Sequence, residues 1–568
     1  MRSILTLAAA LLFASPSFAQ RIEVTIPAGR PLTGHLILVI SKQGSPEPRM
    51  QLQETYTSAQ AFGVDVTSLP PNQPIVIDDK TIGYPRKSLT DLDPGDYTVQ
   101  AVFNVYEQFH LASGKTVWLP PDKGEGQHWN LKPGNPYNAP VKLYIDPKSN
   151  QTLKLTLDKV IPPTAGTDRD PAFIAAHDPG AKWLKYMRFR SEKLSKFWGR
   201  DMYLGAWVLL PEGFDAHPDA HYPLIVYQDH FHPGFAAPVA FDTTPPAAVK
   251  HNPRSAAGYK FFQDWTSGRL PRVILIYVQS ANPYYDDSYD VDSANVGPYG
   301  SAINEELIPA IEKKYRGIGQ GWARATFGGS TGGWESIATQ VFYPDQYNGT
   351  YTACPDPVDF HAYQNVDIYN DPNAFFRHGD FGAVPIAADR KPDGSIIADT
   401  GDEYRYEYVL GTHGRSTEQW DIWQAVFSPA GPDGYPKDVI DPITGTIDKS
   451  TVAYWHDHYD LTAILQRDWT TLGPKLEGKL HLAVGDGDTY FLNNAVHLLQ
   501  STLDDTRNPH SDATFQYGPG MPHCYTGGPT EYTMEENRDT WAQRVIPQMV
   551  EHMLKTAPSG ADTKSWRY

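Results

Sequence analysis

The rhythm of apolar and polar positions changes near residue 165. Before that point, short runs alternate at period two: 21–26 (RIEVTI), 97–103 (YTVQAVF), 141–145 (VKLYI) and 153–157 (LKLTL). Alternation turns every second side chain to one face, as a strand with a single buried face requires. Residues 36–40 (LILVI) form a short unbroken apolar run. Turn-forming clusters such as Leu92-Asp93-Pro94-Gly95-Asp96 separate the runs. The pattern predicts an all-β, sandwich-like accessory domain over 20–165, followed by a linker at 160–167 (VIPPTAGT).

After residue 166, strand-like runs alternate with longer helical patterns, which predicts parallel βα units. Residues 204–210, 224–227 and 273–278 are apolar runs suited to strands covered on both faces. Residues 303–315 have helical spacing, with Ile303, Leu307, Ile308 and Ile311 set against Glu305, Glu312 and Lys313. Short strands are expected at 323–327 and 480–484, and a last long helix over about 533–554. The stretch 356–477, rich in Tyr, Asp and Gly, reads as an insertion forming a lid.

Composition narrows the class. The 568 residues are 40% hydrophobic and 20% charged, enough for a large core and far from a disordered polyelectrolyte. A net charge of -18 argues against nucleic acid or an anionic membrane surface as the main partner. Arg2, the apolar stretch 4–13 and the small-x-small site Ser17-Phe18-Ala19 read as a signal peptide over 1–19. The expected location is therefore periplasmic or secreted. No later segment approaches the roughly 20 apolar residues of a membrane-spanning helix.

The chemical signal lies at Gly328-Gly329-Ser330-Thr331-Gly332-Gly333. It follows a predicted strand and opens a helical pattern through Trp334, Ile337 and Val341. This is G-x-S-x-G in strand–turn–helix context, where the serine sits on a sharp turn between neighbours that must be small. The helix N-terminus then lies near the charge that develops on an attacked carbonyl. Ser330 is the expected nucleophile.

Together with 222–227 (YPLIVY) and 304–312 (NEELIPAIE), this motif resembles the esterase D or "putative esterase" family. That family includes feruloyl and acetyl xylan esterases, S-formylglutathione hydrolases, enterobactin esterases and mycolyltransferases. The resemblance covers about 200–355 and about 478 to the C-terminus. It implies an α/β-hydrolase fold with a mostly parallel sheet and acyl transfer from an ester, without a cofactor or metal. The sequence departs from the family at 228–232 (QDHFH), where His-Gly is common, and in the length of the insertion.

On this fold the acid and then the histidine follow the serine. The strand at 480–484 runs into Gly485-Asp486-Gly487-Asp488. Asp488 is the first choice for the acid on spacing, and Asp486 is the alternative. The loop 518–524 (GPGMPHC) offers His523 as base; His510 and His552 fit less well. For the oxyanion hole, the N–H of Thr331 is one expected donor, and alignment with the family's His-Gly position makes His230 or Phe231 the other. The fold also brings Cys354 and Cys524 to the same end of the sheet, so the two are a candidate disulfide, with two free thiols as the alternative.

Two other stretches draw attention. Residues 284–292 (YYDDSYDVD) read as a solvated loop rather than a calcium loop, and His456-Asp457-His458 as a polar turn. The sequence thus predicts an exported Ser–His–Asp esterase acting on a small-molecule or polysaccharide-linked ester. The alternatives are a peptidase or acyltransferase with the same triad, or a binding protein on a hydrolase scaffold.

Overall fold

The structure is a computed structural model. It describes residues 20–568 except 28, 127, 230–240, 246–252, 381 and 529–537. The expected signal segment and the residues His230 and Phe231 lie outside the described residues.

The five N-terminal runs are strands, and they build two sheets. One has three strands, Thr152–Thr156, Arg21–Thr25 and Ile75–Ile77. The other is centred on Leu32–Ser41, which pairs antiparallel with Gln60–Leu69 and Gly95–Val105. Both sheets contribute to one core containing Ile22, Val24, Leu36, Leu38, Phe62, Phe103 and Leu155. The unbroken apolar run now has a cause. Leu36, Leu38 and Ile40 face that core, while Ile37 and Val39 face the opposite way, onto Tyr406, Val409 and Leu410. Period-two geometry lets one strand serve two cores, each buried side chain contributing roughly 1.5–3 kcal/mol.

The second part is built on an eight-stranded sheet. Its strands are β1 (Leu184–Ser191), β2 (Met202–Leu209), β3 (Leu224–Gln228), β4 (Ile274–Gln279), β5 (Arg324–Gly329), β6 (Thr350–Ala353), β7 (Leu480–Gly485) and β8 (Thr514–Gly518). They lie in the order β1-β2-β4-β3-β5-β6-β7-β8. Pairing is parallel from β4 to β8 and antiparallel at β1 and β2. All residues of β3, β4 and β5 are buried, as expected where crossover helices cover both faces. β1 and the helix Glu192–Trp198 after it are additions to the predicted elements.

The insertion carries two small hairpins, Phe376–Gly379 with Gly382–Pro385 and Ala387–Arg390 with Ile396–Asp399, and the helices Thr400–Leu410, Gln419–Phe427, Lys449–His458 and Leu461–Leu476. Its core is aromatic: Phe360, Tyr363, Trp420, Trp423, Phe427 and Trp455 pack ring on ring. The N-terminal sheets dock on it. His35 bridges Asp65 and the carbonyl of Val409, both at 2.8 Å, and Arg415 pairs with Asp65 at 3.1 Å. Among the described residues, no helix is long and apolar enough to cross a membrane.

Candidate active site

Ser330 follows β5 directly and caps the helix Thr331–Phe342. Its φ of 62° and ψ of -127° are disfavoured for any residue with a Cβ. Neighbours hold it there: its N–H donates to Ala353 O at 3.1 Å, and its carbonyl accepts from Trp334 N and Asp356 N. The glycines explain the motif. A Cβ on Gly328 would stand 2.1 Å from Gly332 O, and one on Gly332 would stand 2.1 Å from Gln228 O. At Gly329 the nearest atom would be 3.8 Å away, so that position is free to vary.

Three of the predicted residues join in one hydrogen-bonded chain. His523 Nε2 is 2.9 Å from Ser330 Oγ, and His523 Nδ1 is 2.9 Å from Asp488 Oδ2. Asp488 is fully buried. Its other oxygen accepts from Tyr490 N and Leu492 N, so both oxygens of the carboxylate are anchored. Gly485 lets the histidine loop approach, because a Cβ there would meet Met521 O at 2.2 Å. Asp486, the alternative acid, is exposed and lies 3.6 Å from His497 instead. His510 is exposed and bonded to Thr506 O, and His552 is carried on the last helix, Arg538–Thr556.

Cys354 and Cys524 come together as expected, with both sulfurs and a ring nitrogen of His523 within 4.8 Å of one another. Both cysteines are free in this structure, the alternative to the candidate disulfide. Proximity of the two strand-end segments was predictable, whereas the covalent bond is a separate matter of redox state. The thiol–imidazole contact has electrostatic consequences. Cys354 hydrogen-bonds Cys524 and His523 attracts its negative charge, so against the opposing effect of burial its pKa is lowered to about 5. Burial disfavours the charged form of His523, but Cys524 and Asp488 outweigh it and raise the imidazole pKa well above its ordinary value.

Thr331 occupies the first helical position, where leading N–H groups have no intrahelical acceptor. Its hydroxyl donates to Asp356 at 2.9 Å, and Tyr289 OH donates to the same carboxylate at 2.7 Å. The end of β3 touches the elbow, since a Cβ on Gly332 would be 2.7 Å from Asp229 N. The loop expected to supply the second oxyanion donor begins there.

The solvated-loop expectation for 284–292 is corrected. Tyr284, Tyr285, Asp287, Tyr289 and Asp290 are all buried, with Tyr289 packed on Trp334 of the helix after Ser330 and Tyr284 on Trp198. The segment is apolar enough in its tyrosines to be covered, and its carboxylates turn inward. Asp287, Asp290 and Glu335 place one carboxylate oxygen each within 4.8 Å of the others. Residues 456–458, expected as a polar turn, are instead the exposed last turn of the helix Lys449–His458.

A cavity of about 410 Å³ opens on Ser330 and His523. The insertion supplies Asp356, Gln364, Glu403, Glu418, Trp420 and Trp423 to its wall. The N-terminal sheets supply Glu54. Sequence reasoning did not single out any of these seven residues. Isolated acids in long inserted segments carry no local spacing signal, and only the docking of the two parts brings them together.

The mostly parallel sheet, with a serine on a strained strand-to-helix turn, is an α/β-hydrolase-type fold. Within it, residues 197–405 match the family model described as "Putative esterase". That is the family the sequence resembles, and the match supports hydrolysis of an ester. Among solved structures, the chain is similar to a ferulic acid esterase at 13% identity, covering 66% of this chain and 98% of that one, with a TM-score of 0.35. It is similar to an S-formylglutathione hydrolase from Agrobacterium tumefaciens at 10% identity, covering 65% and 94%, with a TM-score of 0.31. It is also similar to a fluorophosphonate-binding serine hydrolase of Staphylococcus aureus at 12% identity, covering 65% and 98%, with a TM-score of 0.32. No curated protein sequence matches the chain.

Proposed function

We propose that the protein is an exported serine carboxylic-ester hydrolase working through an acyl-enzyme. The observation that carries this reading is the chain Ser330–His523–Asp488, with both links at 2.9 Å, at the floor of a cavity. His523 removes the Ser330 proton as Oγ attacks the acyl carbon, then returns it to the leaving alcohol. Asp488 fixes the imidazole tautomer and stabilises the imidazolium. The N–H of Thr331 is assigned to the oxyanion, with a second donor from the loop after Asp229, where His230 and Phe231 lie. Water then resolves the acyl-enzyme, so no cofactor is needed. Residues 1–19 act as the export signal, giving a periplasmic or secreted enzyme that begins at Gln20, and 20–165 act as an accessory domain that completes the cavity.

Fluorophosphonate labelling with peptide mapping, beside a panel of p-nitrophenyl and feruloyl esters and matched amides, tests the reading. Labelling at Ser330 with ester turnover supports it. Turnover of amides alone would make the protein a peptidase, and neither labelling nor turnover would favour a binding protein. N-terminal sequencing of exported protein should start at Gln20.

A further inference from the structure

The cavity wall is rich in carboxyl groups in a way the triad does not require. Glu54, Asp356, Glu403 and Glu418 all line it, and among the described residues no lysine or arginine does. Asp356 is accounted for by Tyr289 and Thr331. The other three are not. Glu403 is 3% exposed; Trp420 Nε1 donates to one of its oxygens at 2.8 Å, and the other oxygen has no hydrogen-bond partner among the described residues. Gln364 is 4% exposed, and its side-chain carbonyl likewise has none. Among the described residues, Glu418 accepts a long bond from Tyr406 OH, at 3.4 Å, and no shorter one.

A neighbour off the cavity shows what a purely structural glutamate looks like here. Glu407 accepts from Trp420 N, Asp421 N and Ser416 Oγ, so both its oxygens are used. Glu403 instead presents an unused acceptor, and Glu418 a weakly used one. His128 acts on Glu418 from outside the lining and is itself held by Asp286 at 3.1 Å. Burial pushes Glu54 up to about 7, with Asp389 adding to it, and pushes Glu418 up to about 8, so these carboxyls resist ionisation in the empty cavity and a cation bound beside them restores their charge. Clustered carboxyls with spare acceptors and no lining lysine or arginine lack a countercharge that is also a donor. A primary ammonium brings one positive charge and three donors. Trp420 and Trp423, in the same wall, add aromatic surface suited to a cation. The net charge of -18 draws cations toward the molecule.

Resting on the esterase reading above, we infer that this cavity selects esters bearing a primary ammonium group, with Glu403, Glu418 and Glu54 as its anionic wall. The N-terminal sheets thereby gain a part in substrate choice, because Glu54 reaches the cavity only when they are docked.

The test compares isosteric p-nitrophenyl esters: glycyl with propanoyl, β-alanyl with butanoyl, and ε-aminohexanoyl with heptanoyl. Each rate is divided by the buffer hydrolysis of the same ester, at a pH where the amine is charged. A charge-assisted contact predicts a kcat/KM preference for the ammonium member of roughly ten- to hundredfold at one or more lengths. In Glu403→Gln that ratio falls toward one. Glu54→Gln, in the other part of the chain, lowers it independently should Glu403→Gln fail to fold. Butylammonium should also protect Ser330 from fluorophosphonate in the unaltered protein, and butanol should not. Ratios near one at all three lengths, or equal protection by the two small molecules, overturn the ammonium inference while neutral-ester turnover and Ser330 labelling leave the esterase reading standing. Absence of all turnover and labelling overturns both.

Discussion

Asp488→Asn is the substitution whose consequence the structure defines most closely. The carboxylate is fully buried and makes three bonds: from His523 Nδ1 at 2.9 Å, Tyr490 N at 3.0 Å and Leu492 N at 3.2 Å. Asparagine has the same shape but only one oxygen. The two backbone donors share the oxygen opposite the histidine, so they hold the asparagine oxygen there and aim its NH2 at His523 Nδ1. That forces the proton onto Nε2, which then faces Ser330 Oγ as a donor and cannot act as base. Loss of the correct tautomer costs roughly ten-thousandfold in kcat, or about 5.5 kcal/mol of barrier. Hydrolysis of p-nitrophenyl acetate near neutral pH measures it, with circular dichroism to show that the fold is kept. Asp486→Asn is the companion: it is exposed and 3.6 Å from His497, so its rate stays within about twofold. A folded Asp488→Asn protein within about tenfold of the parent rate, or a larger loss at Asp486, would refute the assignment of the acid.

Other consequences follow from the same geometry. Gly332→Ala places a methyl 2.1 Å from Gln228 O and must shift the elbow; kcat/KM falls about a hundredfold, while Gly329→Ala, with 3.8 Å of room, stays near the parent in the same assay. Because the negative Cys524 holds the His523 pKa up, Cys524→Ser lowers it, and the acid limb of the kcat/KM–pH profile moves to lower pH; an unmoved or rising limb contradicts this. Arg415→Leu removes one of the partners of Asp65, leaving His35 and Thr412, and destabilises by about 2 kcal/mol in chemical denaturation, less than for a fully buried pair because Asp65 is partly exposed. The Asp65 pKa is depressed: burial raises it, but the hydrogen bond and charge of His35 and the charge of Arg415 outweigh that. Its contribution is therefore present above the ordinary carboxylate pKa and fades as pH falls through the folded value.

Local chemistry was legible in the sequence, and long-range assembly was not. The elbow could be read because backbone approach at Gly328 and Gly332 forbids any other residue, which leaves a fixed spacing. The strand ends carrying Asp488 and His523 could be read because the sheet order dictates which loops meet above the serine. The burial of 284–292 was missed because its carboxylates suggested water, whereas its tyrosines pack inward, Tyr289 onto Trp334 and Tyr284 onto Trp198. The helix Glu192–Trp198 had readable signals, with Ser191 capping Leu194 N and Gly199 ending it in the left-handed region. The cavity acids had none, since Glu54 and Glu403 meet only through docking of parts far apart in the chain.

The central claim is that Ser330 takes up the acyl group itself. Rapid acid quench of the protein during p-nitrophenyl acetate turnover, followed by peptide mass mapping, tests it directly. The account predicts an acetyl increment on Ser330 that decays with turnover and is absent from Ser330→Ala. Turnover with no acylated intermediate, or an acetyl group that settles on another residue and persists at the same rate in Ser330→Ala, would contradict it.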